Sequence, residues 1–362
     1  MIRYVAFLSC ALLLGCQSTQ REAREQAEQR WDRARAEVKA KLAADQFAAG
    51  DVRGAAAQLA EACRLAPDAP DFIPLRVRVL LAEGQLTAAE ELLRNNSTAP
   101  EPAQAELAYL RGVVCQQQQR WDEACATFEQ ASELAPHDVS YLVAATQARL
   151  QLGQPQAALE CLIAGAERHG WTETYQATLA ECCEQLGDWP AAAAAWRRVA
   201  GAPGVDAESR ARLGLALFQA GRFADAIPEL LHAAGAAPTD EVAALRLALA
   251  ECYLHVGQPT LARTQVQLAA RAAPDDVRVF TLLAQAHATC GDFDLARQAG
   301  ARALSVSPDN PRALELAAAL AWQAGDRLAA AATAERLSVR EPENPIARHI
   351  LAAAGEPRPR RP

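Results

Sequence analysis

Apolar and polar positions alternate along this chain with helical spacing, and the spacing is broken at regular intervals. The stretch from Leu213 to Pro238 shows one full cycle: Leu213, Gly214, Leu217 and Phe218, then Gly221-Arg222-Phe223, then Ala226, Leu230, Ala233 and Pro238. Apolar residues three to four apart place one stripe on each of two helices. Gly221 can take the left-handed conformation that ends the first helix, and Pro238 lacks the amide that a longer second helix would need. The cycle therefore predicts a helical hairpin. Equivalent turns fall at Gly50, Gly84, Gln119, Gly153, Gly187, Gly221, Gly257, Gly291 and Gly325, with spacings of 34, 35, 34, 34, 34, 36, 34 and 34. Five residues after each turn stands an alanine, from Ala55 to Ala330, where the two helices must touch. Two residues after it an apolar or aromatic residue is usual (Val52, Leu86, Trp121, Trp189, Phe223, Phe293) and is expected to wedge the hairpin. Proline follows 17 residues after several turns, at Pro67, Pro136, Pro238, Pro274, Pro308 and Pro342. Such a hairpin cannot bury its own apolar face and must stack on its copies.

This pattern over residues 37–342 resembles the tetratricopeptide repeat family, whose unit is a helix, a turn and a helix over about 34 residues. The resemblance implies an all-α fold, a right-handed α-solenoid of about nine helix-turn-helix hairpins. Departures from the pattern are local. Gln119 replaces glycine, so the third turn is expected to close without a left-handed glycine. Pro155 and Pro259 stand at the wedge position and suit a first helical turn, while Pro228 lies deeper and should kink its helix. Two residues are added near Thr239 and Asp240, where Asp240 could cap the next helix. The loops over 95–101 and 201–204 are the expected flexible joints. A glycosylation sequon at Asn96-Ser97-Thr98 is set aside in favour of a bacterial reading of the N-terminus.

That N-terminus carries Arg3, an apolar run from Tyr4 to Leu14, and then Gly15-Cys16. The run is too short to span a bilayer, which takes about 20 residues, and suits the core of a signal peptide. Leu13-Leu14-Gly15-Cys16 resembles the bacterial lipoprotein signal, which implies cleavage before Cys16 and acylation of that residue. An ordinary cleaved signal without lipid is the alternative. Several acyl methylenes at about 0.8 kcal/mol each hold a protein stably on a membrane when more than one chain is attached. Gln17, rather than aspartate, resembles the sorting pattern for the outer membrane. The expected organisation is a lipoprotein signal peptide over 1–15, a lipidated charged tether or helix over 16–36, the solenoid over 37–344, a capping helix over 345–354 and a disordered tail over 355–362. In the tether, opposite charges recur at helical spacing, as in Arg21 with Glu25 and Glu37 with Lys41. Apolar heptads are absent, so a solvated tether is preferred to a coiled-coil partner site.

Hydrophobic residues make up 51% of the chain but aromatic residues only 5%, so small alanine contacts carry much of the packing. A net charge of −8 argues against a surface for polyanions, and no nucleic acid is expected as partner. Of the ten cysteines, Cys10 lies in the signal and Cys16 is the lipid site. Cys115 and Cys125 flank the third turn at similar distances, which leaves a disulfide open beside the simpler reading of small buried hydrophobes. Cys182 and Cys183 read as core or surface residues, and Cys252 with His255 is too few ligands for a zinc site. No metal, no cofactor and no small-molecule substrate are expected. The catalytic signatures of metallopeptidases, phosphate-binding loops, serine hydrolases and redox dithiols are missing, so the chain is not expected to be an enzyme.

The resemblance implies use as an adaptor or scaffold, with the first helix of each hairpin lining the inner face. By register the inward candidates are Phe47, Arg78, Tyr109, Gln147, Glu181, Phe218, Glu251, Gln285 and Trp322. The basic and asparagine pattern with which some family members grip a peptide carboxylate is absent at the matching positions. The function expected is a membrane-anchored scaffold in a bacterial envelope assembly of secretion, pilus, outer-membrane or polysaccharide-export type, with protein partners on the concave surface. The alternatives are a periplasmic spacer without a stoichiometric partner, or an accessory subunit of an enzyme.

Overall fold

The computed structural model describes residues 2–67, 69–96, 103–202, 204, 206–237 and 239–355, the side chains of 2–23, 239, 240 and 355 excepted. Among the described residues the secondary structure is helical throughout, without strands. The chain divides into two compact units, Met1–Gly170 and Trp171–Pro362. The first holds four hairpins: α1 (Ile2–Ala48) with α2 (Val52–Leu65), α3 (Ile73–Ala82) with α4 (Leu86–Asn95), α5 (Ala103–Gln117) with α6 (Trp121–Leu134), and α7 (Val139–Gln151) with α8 (Pro155–His169). The second holds five: α9 (Glu173–Leu186) with α10 (Trp189–Ala200), α11 (Ala207–Gln219) with α12 (Phe223–Ala236), α13 (Thr239–His255) with α14 (Pro259–Ala272), α15 (Val277–Cys290) with α16 (Phe293–Val306), and α17 (Pro311–Gln323) with α18 (Arg327–Arg340). Helix α19 (Pro345–Gly355) follows. Within each unit every helix packs on its chain neighbours.

Two small positions set the distance between the helices of a hairpin. The alanine five residues after each turn is fully buried in all nine hairpins. Its counterpart on the first helix lies seven residues before the turn, at Ala43, Val77, Gly112, Thr146, Ala180, Gly214, Ala250, Ala284 and Ala318, and is buried at every hairpin. The sequence reading singled out only the first of these positions. Gly112 and Gly214 show what the second one does. A Cβ on Gly112 would stand 2.4 Å from Phe128 Cε1, and one on Gly214 would stand 2.8 Å from Leu230 Cδ2. Where the first helix offers no side chain, the second fills the space with a large one.

The turn glycines from Gly50 to Gly325 have φ between +69° and +86°. The third turn closes without a glycine, as expected, and Gln119 itself adopts the left-handed geometry, with φ 60°, so a side chain sits where the backbone favours glycine. Pro155 and Pro259 open α8 and α14 at the first helical position, and α12 continues from Phe223 to Ala236 with Pro228 inside it. The wedge residues open their helices half-buried, except Phe293, which is exposed. Six aspartates that the sequence reading had not marked, Asp51, Asp138, Asp188, Asp206, Asp276 and Asp326, cap helices by accepting backbone N–H groups. The cap expected at Asp240, the sequon and the C-terminal tail fall on side chains or residues outside those described.

The charged stretch before residue 37 and the first repeat helix are one continuous helix, α1. Arg24 pairs with Glu28 at 3.3 Å and Arg33 with Glu37 at 3.4 Å, both one turn apart. Ala36 and Ala43 bury the opposite side of α1 in a core with Leu59, Phe72 and Val79. Among the described residues no helix is long and apolar enough to cross a membrane.

Candidate functional site

The first helices of the first unit carry a recess that joins three of the inward candidates. A cavity of about 390 Å³ is lined by Phe47 on α1, Arg78 and Leu81 on α3, and Tyr109, Val113 and Gln117 on α5. A second, of about 360 Å³, shares Arg78 with it and continues along Glu37, Asp71, Phe72 and Glu106. Arg78 Nη2 donates to Glu106 Oε1 at 2.7 Å, and Arg33 lies 3.4 Å from Asp71. The Tyr109 ring sits 5.1 Å from Tyr141 on α7 and 5.5 Å from Phe128 on α6, tilted against both. Burial pushes the Tyr141 hydroxyl above its ordinary pKa, and Asp138 and Glu106 push it the same way, so it stays a neutral hydrogen-bonding group. The recess thus combines aromatic and aliphatic walls with the guanidinium group of Arg78 and the three carboxylates of Glu37, Asp71 and Glu106. Its charge balance favours a ligand segment that brings apolar side chains and a basic group.

Gln147 is exposed on α7. In the second unit, burial raises the pKa of the half-buried Glu181 carboxyl while Arg212 opposes the rise. Beside it Glu184 accepts from Trp196 Nε1 at 2.6 Å and from Arg212 at 3.4 Å. Phe218 is half-buried and meets Phe223 edge-on at 5.8 Å, and Phe223 stacks on His255 at 3.9 Å. Glu251 reaches across α15 to Arg312 on α17 at 3.4 Å. Gln285 is half-buried on α15. Trp322 is enclosed by His349 of α19, edge-on at 6.0 Å, and by Arg327 at 5.0 Å from its ring. Phe218 and Trp322 thus each make ring contacts with the second helix of their own hairpin or with the helix that follows it. The sequence reading missed Glu106, Tyr141 and Leu81. One residue per repeat was taken from the inner face, whereas a helix presents positions three to four apart on the same face.

Cys115 and Cys125 do not pair. Each is a free thiol with its own neighbours, Cys115 near Glu123 at 4.0 Å and Cys125 donating to Glu129 Oε1 at 3.4 Å. Burial pushes Cys125 up to about 11 and Cys252 up to about 12, which removes thiolate character near neutral pH. Cys182 and Cys183 are both buried. Among the described residues no group of three or more His, Cys, Asp or Glu side chains could hold a metal ion.

Residues 105–138, 184–241 and 217–286 each match a model of the tetratricopeptide repeat. Among solved structures, the C-terminal part of a TPR repeat-containing protein from Cytophaga hutchinsonii aligns with 67% of this chain and 99% of its own, at 14% identity and a TM-score of 0.52. PilW, a type IV pilus biogenesis factor, aligns over 59% of this chain and 97% of its own at 17% identity and a TM-score of 0.49. PilF of Pseudomonas aeruginosa aligns over 59% and 96% at 20% identity and a TM-score of 0.47. At these identities the likeness is one of fold. No curated protein matches the sequence.

Proposed function

We propose that this tetratricopeptide-repeat chain is a lipid-anchored scaffold of a bacterial envelope. It is held to the membrane by acyl chains on Cys16 and faces the periplasm, on the outer membrane where the cell has one. Protein partners bind along its first-helix face within an assembly of secretion, pilus, outer-membrane or polysaccharide-export type. The observation that carries the reading is the recess of the first unit, where two cavities of about 390 and 360 Å³ meet at Arg78. Open apolar recesses with a few convergent polar groups are the usual form of a binding site. The ligand that fits is a protein segment with an aromatic or aliphatic side chain for the walls of Phe47, Leu81 and Tyr109, and a basic group for Glu106, Glu37 and Asp71.

The test is capture of the tagged full chain from native membranes, with the charge reversal Glu106→Lys in parallel. Glu106 is half-buried at the rim of the recess, so the substitution should leave the helical circular dichroism unchanged, repel the basic group and reduce recovery of a stoichiometric protein at least tenfold. Equal recovery with both forms would place the partner elsewhere. Cys16→Ser should move the protein from the membrane to the soluble fraction, and retention in the membrane would refute the acyl anchor.

A further inference from the structure

Helix α1 leaves one face bare. Val38 and Trp31 are 70% and 67% exposed, and Leu42 is 43% exposed. With Arg24, Ala27, Glu28, Ala34, Arg35, Lys41 and Asp45 they form an uninterrupted exposed stripe, opposite the buried Ala36 and Ala43. At 1.5 Å per residue the stripe runs for about 32 Å. Val38 stands where later hairpins cover their side chain. The positions equivalent to it, counted from the turn, are Phe72, Leu107, Tyr141, Tyr175, Ser209, Leu245, Val279 and Ala313, of which Tyr141 and Ser209 are half-buried and the other six buried. The apolar members of the stripe, Ala27, Trp31, Ala34, Val38 and Leu42, run for about 22 Å, and an exposed apolar row of that kind is out of keeping with a helix that only meets water.

The order of residues along the stripe is self-complementary. We propose that two copies of this chain pair through α1, antiparallel, about a two-fold axis beside Ala34 and Arg35. In that arrangement Trp31 of one copy meets Val38 of the other and Ala27 meets Leu42. Farther from the axis Glu28 faces Lys41, and Arg24 faces Asp45. Each apolar contact and each opposite-charge pair occurs twice, as an isologous interface requires. Arg24 and Glu28 already pair within one copy at 3.3 Å, so the two ends of the interface become alternating four-charge clusters. A parallel pairing would instead set Glu28 against Glu28 and Lys41 against Lys41, and the like charges disfavour it. This inference is independent of the recess and of the lipid anchor.

The test uses the full chain in a non-ionic detergent, with mass measured by density-matched sedimentation at about 1–100 μM. The expected species is a dimer that Val38→Glu converts to a monomer. Glu28→Lys and Lys41→Glu should each weaken the dimer about fivefold, because each replaces two exposed attractive pairs by repulsive ones. The double variant E28K/K41E should restore it. Ala34→Cys, beside the axis, should form a cross-linked dimer under mild oxidant, while Trp31→Cys should not cross-link to its own copy. The stripe residues are exposed, so unchanged circular dichroism separates loss of pairing from loss of folding. A monomer at all concentrations, a dimer indifferent to Val38→Glu, or a double variant weaker than either single one would each overturn the proposal. So would a monomer whose stripe binds vesicles.

Discussion

Gly112→Ala tests the packing rule on which the hairpins rest, because two effects of known size oppose each other there. Gly112 lies inside α5, where alanine favours the helix by about 0.5–1 kcal/mol. Its new methyl group would stand 2.4 Å from Cε1, 2.5 Å from Cδ1 and 2.8 Å from Cζ of Phe128. Ordinary carbon contacts lie near 3.5–4.0 Å, so the ring must retreat by about 1 Å. Phe128 is 1% exposed, with Tyr109 at 5.5 Å, and has no solvent to move into. Overpacking of this kind costs about 1–3 kcal/mol. The net expectation is a loss of about 0.5–2 kcal/mol, with displacement of Tyr109 in the recess as a second effect. The matched control is Gly300→Ala in α16, where the nearest atom, Leu320 Cδ1, lies 3.9 Å away. There the helical gain stands alone, and a stabilisation of about 0.5–1 kcal/mol is expected. Urea unfolding of the full chain by circular dichroism gives both signs, read as midpoint shifts because stacked hairpins need not unfold in one step. Adding Phe128→Leu to Gly112→Ala should recover part of the loss, since neighbouring substitutions couple. If Gly112→Ala stabilises the chain as much as Gly300→Ala does, the close contact between α5 and α6 does not exist.

Gln119→Gly should stabilise the first unit by about 1 kcal/mol, because Gln119 is exposed and holds φ 60°, a conformation that costs a side-chain-bearing residue about 1–2 kcal/mol. A lower urea midpoint for that variant would contradict the turn geometry. Asp276 caps α15 and is held below the usual carboxylate range, first by its hydrogen bond from the Arg278 side chain, at 2.7 Å, and against the effect of burial. A depressed folded-state pKa stabilises the fold above the unfolded value near 4, and that stability is lost as pH falls through the folded value. Asp276→Asn should therefore lower the melting temperature at pH 7, and the difference from the native chain should shrink as pH falls through the depressed folded-state value. A difference that does not change with pH would refute the assignment.

Much of this molecule is decided by local chemistry and is legible in the chain. Turn glycines, the alanine five residues later and proline at helix starts each act through their own backbone or their own small volume, and these features alone define the period and the hairpin. The left-handed Gln119 is the instructive exception. Once eight neighbouring turns and the stacked hairpins fix the path of the chain, the ninth turn follows it and the side chain accepts the strain. The second small position, seven residues before each turn, is filled by alanine, glycine, valine or threonine, so it has no residue signature. Only the approach of α5 to Phe128 and of α11 to Leu230 shows its purpose. The recess and the bare face of α1 belong to tertiary structure for the same reason. A helix exposes several faces with equivalent spacing, and which one is buried against α2, which opens beside Arg78 and which is left bare depends on where the neighbouring hairpins lie. Register along one helix predicts Arg78 and Tyr109. Packing between helices brings Glu106 and Tyr141 beside them.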